Sequence, residues 1–112
     1  KVLYFFVRMD LRMGKGKIAA QVGHATQDLI LKNSPSTLSS YISDNSAKIV
    51  LKVPTFDTFI PLLKFCQEKG YPYTVIKDAG RTQIPAGSAT VLGIGVVEKE
   101  EMTKMVETLK LL

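Results

Sequence analysis

Cysteine, histidine and tryptophan are nearly missing from this chain of 112 residues, which has one Cys, one His and no Trp. A lone thiol, Cys66, cannot form an intramolecular disulfide, and with only His24 beside it the side-chain set for a zinc site is almost absent. A reducing compartment and no bound metal or other cofactor are the expectation. Long apolar runs are also lacking. The longest, Ala89 to Val97, is broken by Gly93 and Gly95 and falls far short of the roughly 20 residues that cross a bilayer, so no membrane span is expected. There is no G-x-S-x-G elbow, no H-E-x-x-H pair and no cluster of carboxylates, which sets aside serine hydrolases of the elbow type and zinc peptidases. No internal repeat is present, and the length leaves room for one core, so residues 1–112 are read as a single domain.

What is present is positive charge, unevenly placed. The net charge is +5, enough to bias a small domain toward polyanions. From Lys1 to His24 the basic residues Lys1, Arg8, Arg12, Lys15 and Lys17 face Asp10 alone, whereas Glu98 to Leu112 is slightly acidic. An anion-binding surface should therefore draw on the first third of the chain. The sequence begins at Lys1 rather than at methionine. The expected setting is cytoplasmic, or organellar if a leader was trimmed.

Val2 to Val7 is a continuous apolar and aromatic run and reads as a buried strand. From Gly16 to Lys32 the period becomes helical, with Ile18, Val22, Ala25 and Leu29 as the core face. Asn33-Ser34-Pro35 ends that helix, and Ser34 or Ser36 can cap a short second helix through Ile42. Ala47 to Val53 alternates as a strand closed by Pro54. Thr55 is placed to cap a helix reaching Lys69, with Phe56, Phe59, Ile60, Leu63 and Cys66 as its apolar stripe and Gly70 just past its end. Tyr73 to Ile76 is a strand, residues 77–87 a polar loop, and Ser88 to Val97 the most apolar strand and hence central. On it Ala89, Val91, Gly93, Gly95 and Val97 are expected to share one face, where the glycines admit a helix closely. Glu98 to Leu112 reads as a closing helix, acidic at its start as the dipole prefers. The sum is an α/β domain, a mixed four-stranded sheet with helices packed on both faces.

Three stretches can carry chemistry. Asp10 to Lys17 is a basic turn, with Gly14 and Gly16, that runs from a strand into a helix. Backbone N–H groups and the positive dipole end can hold a phosphate there, although the sequence is neither a Walker loop nor G-x-G-x-x-G. On the helix that follows, Lys17, Gln21, His24 and Asp28 fall within a stripe of about 60°. Such a stripe is either a solvated face or a polar site beginning at the glycine turn. The third stretch, Asp78 to Gly87, starts where a strand ends, the place where ligands gather in open α/β sheets. Asp78 can act as a base or orient a water, Thr82 and Gln83 can donate hydrogen bonds, and Arg81 can pair with a phosphate. The plainer reading is a surface turn in which Asp78 bonds its own loop. Cys66, facing a phenylalanine-rich core, is read as structural and inert.

Taken together, the block Met13 to Gln21 with His24-Ala25, the block Asp78 to Gln83, then Gly87-Ser88 and Thr90 to Gly95 resemble the archaeal and eukaryotic type of peptidyl-tRNA hydrolase. The resemblance spans nearly the whole chain, with the blocks in the right order and spacing. It departs at Val22-Gly23, where relatives often carry cysteine and serine, and at Pro85-Ala86. It implies hydrolysis of the ester joining a peptide to the terminal ribose of tRNA, recycling tRNA after premature release, with no metal and with a homodimer as the assembly. On that reading Asp78 positions or deprotonates the water, with His24 near it. Lys17 stabilises the oxyanion or holds the terminal phosphate. Thr82 and Gln21 bond the ester or ribose, Lys15, Arg12 and Arg81 bind the acceptor-stem backbone, and Gln83 and Ser88 complete the substrate contacts. Two rival readings use the same residues: a non-catalytic RNA-binding or adaptor domain of this fold, and an esterase acting on another aminoacyl or peptidyl conjugate.

Overall fold

In the computed structural model, which describes residues 1–79 and 87–112, the run of six buried residues that opens the chain forms β1, Val2–Arg8. A strand apolar on both faces must lie inside a sheet covered on both sides. β1 pairs in parallel with β2, Ala47–Val53, and antiparallel with β4, Ala89–Val97, while β3, Tyr73–Lys77, joins the far edge of β4. The order is β2-β1-β4-β3. β4 is central and buried at every residue, as its composition requires. β1, β2 and β3 run the same way, so their carboxyl ends and the start of β4 meet at one end of the sheet.

Two cores flank this sheet. On one face α1, Lys15–Lys32, and α2, Pro35–Ser43, cover Leu3, Phe5, Val7, Ile76 and Val91. On the other α3, Phe59–Lys69, and α4, Lys99–Val106, cover Tyr4, Phe6, Leu51, Leu92 and Ile94. The α/β class with helices on both faces is as the sequence indicated. Ser34 caps α2, its hydroxyl accepting the Thr37 N–H at 3.2 Å. Gly70 ends α3 in the left-handed region at φ 74°.

Four local expectations are corrected. Thr55 makes no side-chain cap; a 3₁₀ turn, Phe56–Thr58, intervenes before α3. That turn shifts the phase, so Phe59, Leu62 and Cys66 are buried while Ile60 is exposed. The chain after α4 leaves the helix and lies along the outer edge of β2, where Lys52 N–H donates to the Lys110 carbonyl at 2.8 Å and Leu112 N–H to that of Val50 at 3.0 Å. An edge strand's unpaired backbone groups supply the reason. Finally, the odd residues of β4 do not share a face. The register slips near each end of the strand, between Ile76 and Lys77 against β3 and between Val2 and Tyr4 against β1. Val91 therefore faces α1, whereas Ala89 and Val97 face α3 and α4.

The two strand glycines consequently do different work. A Cβ on Gly93 would sit 3.1 Å from Leu29 and 3.2 Å from Ala25, so its absence lets α1 lie against β4. Gly95 admits no helix; at φ 140° a Cβ there would lie 2.8 Å from the Val2 carbonyl oxygen on β1. Gly95→Ala is expected to cost about 3 kcal/mol, from a strained φ and a clash with backbone that cannot yield. Gly93→Ala, which meets only side-chain methyls, should cost about 1 kcal/mol. Urea unfolding of the two variants checks the order, and equal losses would refute the distinction.

Candidate active site

The order of polar residues around α1 decides what each of them meets. At about 100° per residue, Gln21 lies about 40° from Lys17 toward the apolar face, Asp28 about 20° the same way, and His24 about 20° the other way. The structure follows that order. Gln21 is buried, Lys17 and Asp28 are half-buried, and His24 is exposed. The expected surface of four polar groups is thus a seam of three against the sheet, with His24 left outside it.

Each member of the seam finds a partner on β3, on β4 or just past the end of β3. Lys17 Nζ donates to Asp78 Oδ1 at 2.5 Å. Gln21 Nε2 donates to Thr90 Oγ1 at 2.8 Å, and that hydroxyl donates in turn to the Ile76 carbonyl at 3.0 Å. Thr74 Oγ1 donates to Asp28 at 2.9 Å. Past the end of α1, the Asn33 amide bonds the Gly95 carbonyl at 2.9 Å. The helix is therefore held along its whole length, and its first turn cannot drift from the end of β3.

Asp78 follows β3 directly. Its N–H donates to the Ser88 carbonyl at 2.8 Å and its own carbonyl accepts the Gly87 N–H at 3.1 Å, closing the neck of the loop between β3 and β4. The side chain is almost wholly buried, at 1% exposure, whereas that of Lys17 is 22% exposed. A buried carboxylate needs a counter-charge, and Lys17 supplies it from the first turn of α1, where a cation opposes the helix dipole. The turn before it has the geometry of an anion site. Gly14 precedes the helix in an extended conformation and offers no side-chain cap, and the first turn of α1 carries no acidic residue. Arg12 stands exposed just upstream in the left-handed region at φ 52°.

Lys15 and Ser88 complete what the described residues place. Lys15 does not join Asp78; it lines an apolar groove of about 650 Å³ on the opposite side of α1, with Ile18, Val22, Val50 and Leu112. Ser88 is half-buried at the neck. Arg81, Thr82 and Gln83 lie outside the described residues. Thr90, which in the sequence is only part of the block carrying the resemblance, joins Gln21 to β3. The available signal was a hydroxyl in an otherwise apolar strand.

Among the described residues no three of His, Cys, Asp and Glu come together as metal ligands, and no helix is long and apolar enough to cross a membrane. Cys66 is buried, and burial pushes its thiol up to about 11. At pH 8 thiol reagents are expected to label it only through unfolding, so labelling of the native chain at the rate of a small thiol would contradict its placement. Thr90→Val should cost about 1–3 kcal/mol by orphaning the buried Gln21 amide and the Ile76 carbonyl, with Thr90→Ser recovering most of it in urea titrations.

The family described as "Peptidyl-tRNA hydrolase PTH2" matches residues 1–112. A protein of Methanococcus maripaludis named "Peptidyl-tRNA hydrolase" is 42% identical over 109 residues, covering 95% of this chain and 94% of the relative. One of the same name from Sulfurisphaera tokodaii is 43% identical over 113 residues, covering 95% and 93%. The mouse protein "Peptidyl-tRNA hydrolase 2, mitochondrial" is 44% identical over 108 residues, which take in 94% of this chain and 60% of that longer protein. The chain belongs to the PTH2 family of peptidyl-tRNA hydrolases.

Proposed function

We propose that this chain hydrolyses the ester between a peptide, or an N-acyl amino acid, and the terminal ribose of tRNA. The observation that carries the reading is the Lys17–Asp78 contact at the start of α1, a buried carboxylate and a cation beside a helix N-terminus to which Gly14 offers no side-chain cap. Ester hydrolysis needs a water made nucleophilic, donors for the oxyanion and a grip on the RNA end. Asp78 orients the water and takes its proton as oxygen attacks the ester carbonyl. Lys17 and the first N–H groups of α1 stabilise the oxyanion. Collapse then breaks the bond to the ribose oxygen, which leaves with a proton, giving a carboxylic acid and a tRNA hydroxyl.

The supporting roles follow the geometry. Gln21, whose amide N–H donates to Thr90, turns its carbonyl oxygen to accept from a ribose hydroxyl. Thr82 and Gln83 would add donors from the loop, Ser88 fixes its neck, and Arg81, Arg12 and Lys15 would contact the acceptor-stem backbone. His24, exposed about 10 Å along the axis from Lys17, takes a place at the margin. The reading includes no metal and a homodimer, which light scattering checks. It also includes a cytoplasmic setting, or an organellar one of the kind that the mouse relative's name states.

The test is release of N-acyl amino acid from N-acylaminoacyl-tRNA in the presence of a chelator, with tRNA binding measured alongside. Lys17→Ala and Asp78→Ala are expected to lose about a hundredfold to a thousandfold in rate. His24→Ala should lose less than either, and all three variants should retain most of the binding. A loss below about tenfold for Lys17→Ala would remove its assigned role. Wild-type binding without turnover would leave an RNA-binding adaptor, and cleavage of a small N-acyl ester as fast as the tRNA conjugate would favour a general esterase.

A further inference from the structure

Arg8 ends β1 on the face of the sheet away from the Lys17–Asp78 contact. Val2, Tyr4 and Phe6 pack with α3 and α4, and the period of two puts Arg8 with them. Its guanidinium lies 5.9 Å from the centroid of the Phe56 ring, on that same side. Thr74 and Ile76, four and two residues before Asp78, face α1 instead. The Arg8 side chain is 15% exposed and all three of its nitrogens are engaged. Nε and Nη2 donate to the two oxygens of Asp10 at 3.0 and 2.7 Å, and Nη1 donates to the Ala89 carbonyl at 3.0 Å. Its charge is already matched, and that hydrogen-bonded pairing holds the Asp10 carboxyl below its ordinary value. A cation so committed, behind the sheet, is poorly placed to grip RNA phosphate.

The acceptor of the third bond is what gives the arrangement meaning. Ala89 is the residue at which β4 slips register: it pairs with Lys77 while Val91 pairs with Ile76, and the Thr90 between them turns its hydroxyl toward Gln21. The residue before Ala89 is Ser88, whose carbonyl receives the Asp78 N–H. One guanidinium thus holds Ala89, the residue from which both arms of the site depart.

We propose that Arg8 is a positioning residue for the hydrolysis, setting the bulge at Ala89 from behind the sheet so that Asp78 meets Lys17 and Thr90 meets Gln21. This rests on the function proposed above. Lysine cannot replace the arginine, because a single ammonium cannot span both Asp10 oxygens and the Ala89 carbonyl in one plane.

The experiment compares wild type, Arg8→Lys and Asp10→Asn by steady-state hydrolysis of N-acylaminoacyl-tRNA, tRNA affinity at two salt concentrations, urea unfolding and amide hydrogen exchange. Arg8→Lys is expected to lower kcat about tenfold to a hundredfold, as a small misplacement of reacting groups does. KM and tRNA affinity should stay within about twofold, as for a group that does not bind the ground state. Exchange of the Asp78 amide should quicken while amides of β1 and α3 keep wild-type protection. Asp10→Asn should follow the same pattern more weakly. Unchanged kcat would overturn the proposal. So would a loss confined to KM and salt-dependent affinity, which would make Arg8 a phosphate ligand, or a uniform rise in exchange with lowered stability, which would make it structural only. If wild type binds tRNA without turnover, the hydrolase reading fails, and the Asp78 amide still decides whether Arg8 holds the neck.

Discussion

A helix with polar residues on the margin of its apolar stripe can lie against a sheet only if each of them meets a partner there. α1 satisfies that condition three times, through Lys17 with Asp78, Gln21 with Thr90 and Asp28 with Thr74. Much else in the fold serves this seam. Gly93 brings the helix within bonding distance of β4, the slip at Ala89 turns Thr90 toward it, and Asn33 anchors the far end. The first turn of α1 inherits its position from the whole length of the helix, which is how a site at its tip can be rigid although it borders a loop.

The Lys17–Asp78 pair is a poor device for stability alone. Burying a carboxylate is costly, and a cation in a helix's first turn opposes the dipole. Two apolar residues of similar volume would hold the same elements at no such cost. The arrangement makes sense where a charge must be kept ready and dry, because electrostatic effects grow when water is excluded. The N-cap residue Gly14 adds no side chain of its own, so the positive end of the helix and Lys17 converge beside one carboxylate. An ester is activated more easily than an amide, and electrostatic positioning of this kind can carry its hydrolysis without a covalent intermediate. Nothing in the core competes for that part, since Cys66 is sealed in the α3 layer as a neutral thiol.

The layering of the fold was legible because it rests on periodicity. The apolar run of β1, the 3.6-residue spacing of α1 and the punctuation by Pro35, Pro54 and Gly70 are local signals, and they survived folding. Lys17 and Asp78 were legible as candidates from residue type and from their places at a helix start and a strand end. Their contact was not, since 61 residues separate them. Where the structure departs from the pattern, either the period breaks or an edge intervenes. Two slips of register in β4 exchange inside for outside, and a strict alternation cannot announce where it breaks. The 3₁₀ turn before α3 shifts phase in the same way, and the tail leaves its helix for β2 because of an edge that only the assembled sheet possesses.

These same irregularities carry the site. Had β4 kept a strict period of two, Ala89 and Val91 would share a face and Thr90 would turn away from α1, leaving Gln21 buried against carbon. The slip costs one ladder position and returns a hydroxyl to the helix. At the same residue the Ala89 carbonyl accepts from the Arg8 guanidinium, which Asp10 and Phe56 hold on the other side. On the proposed mechanism, chemistry on one face and bracing on the other are two consequences of one bulge, and the sheet separates the groups assigned to the substrate from the one assigned to keep them in register. That separation explains why a cation at the end of β1, in the most basic third of the chain, is neutralised by the one acid nearby instead of being left open to RNA.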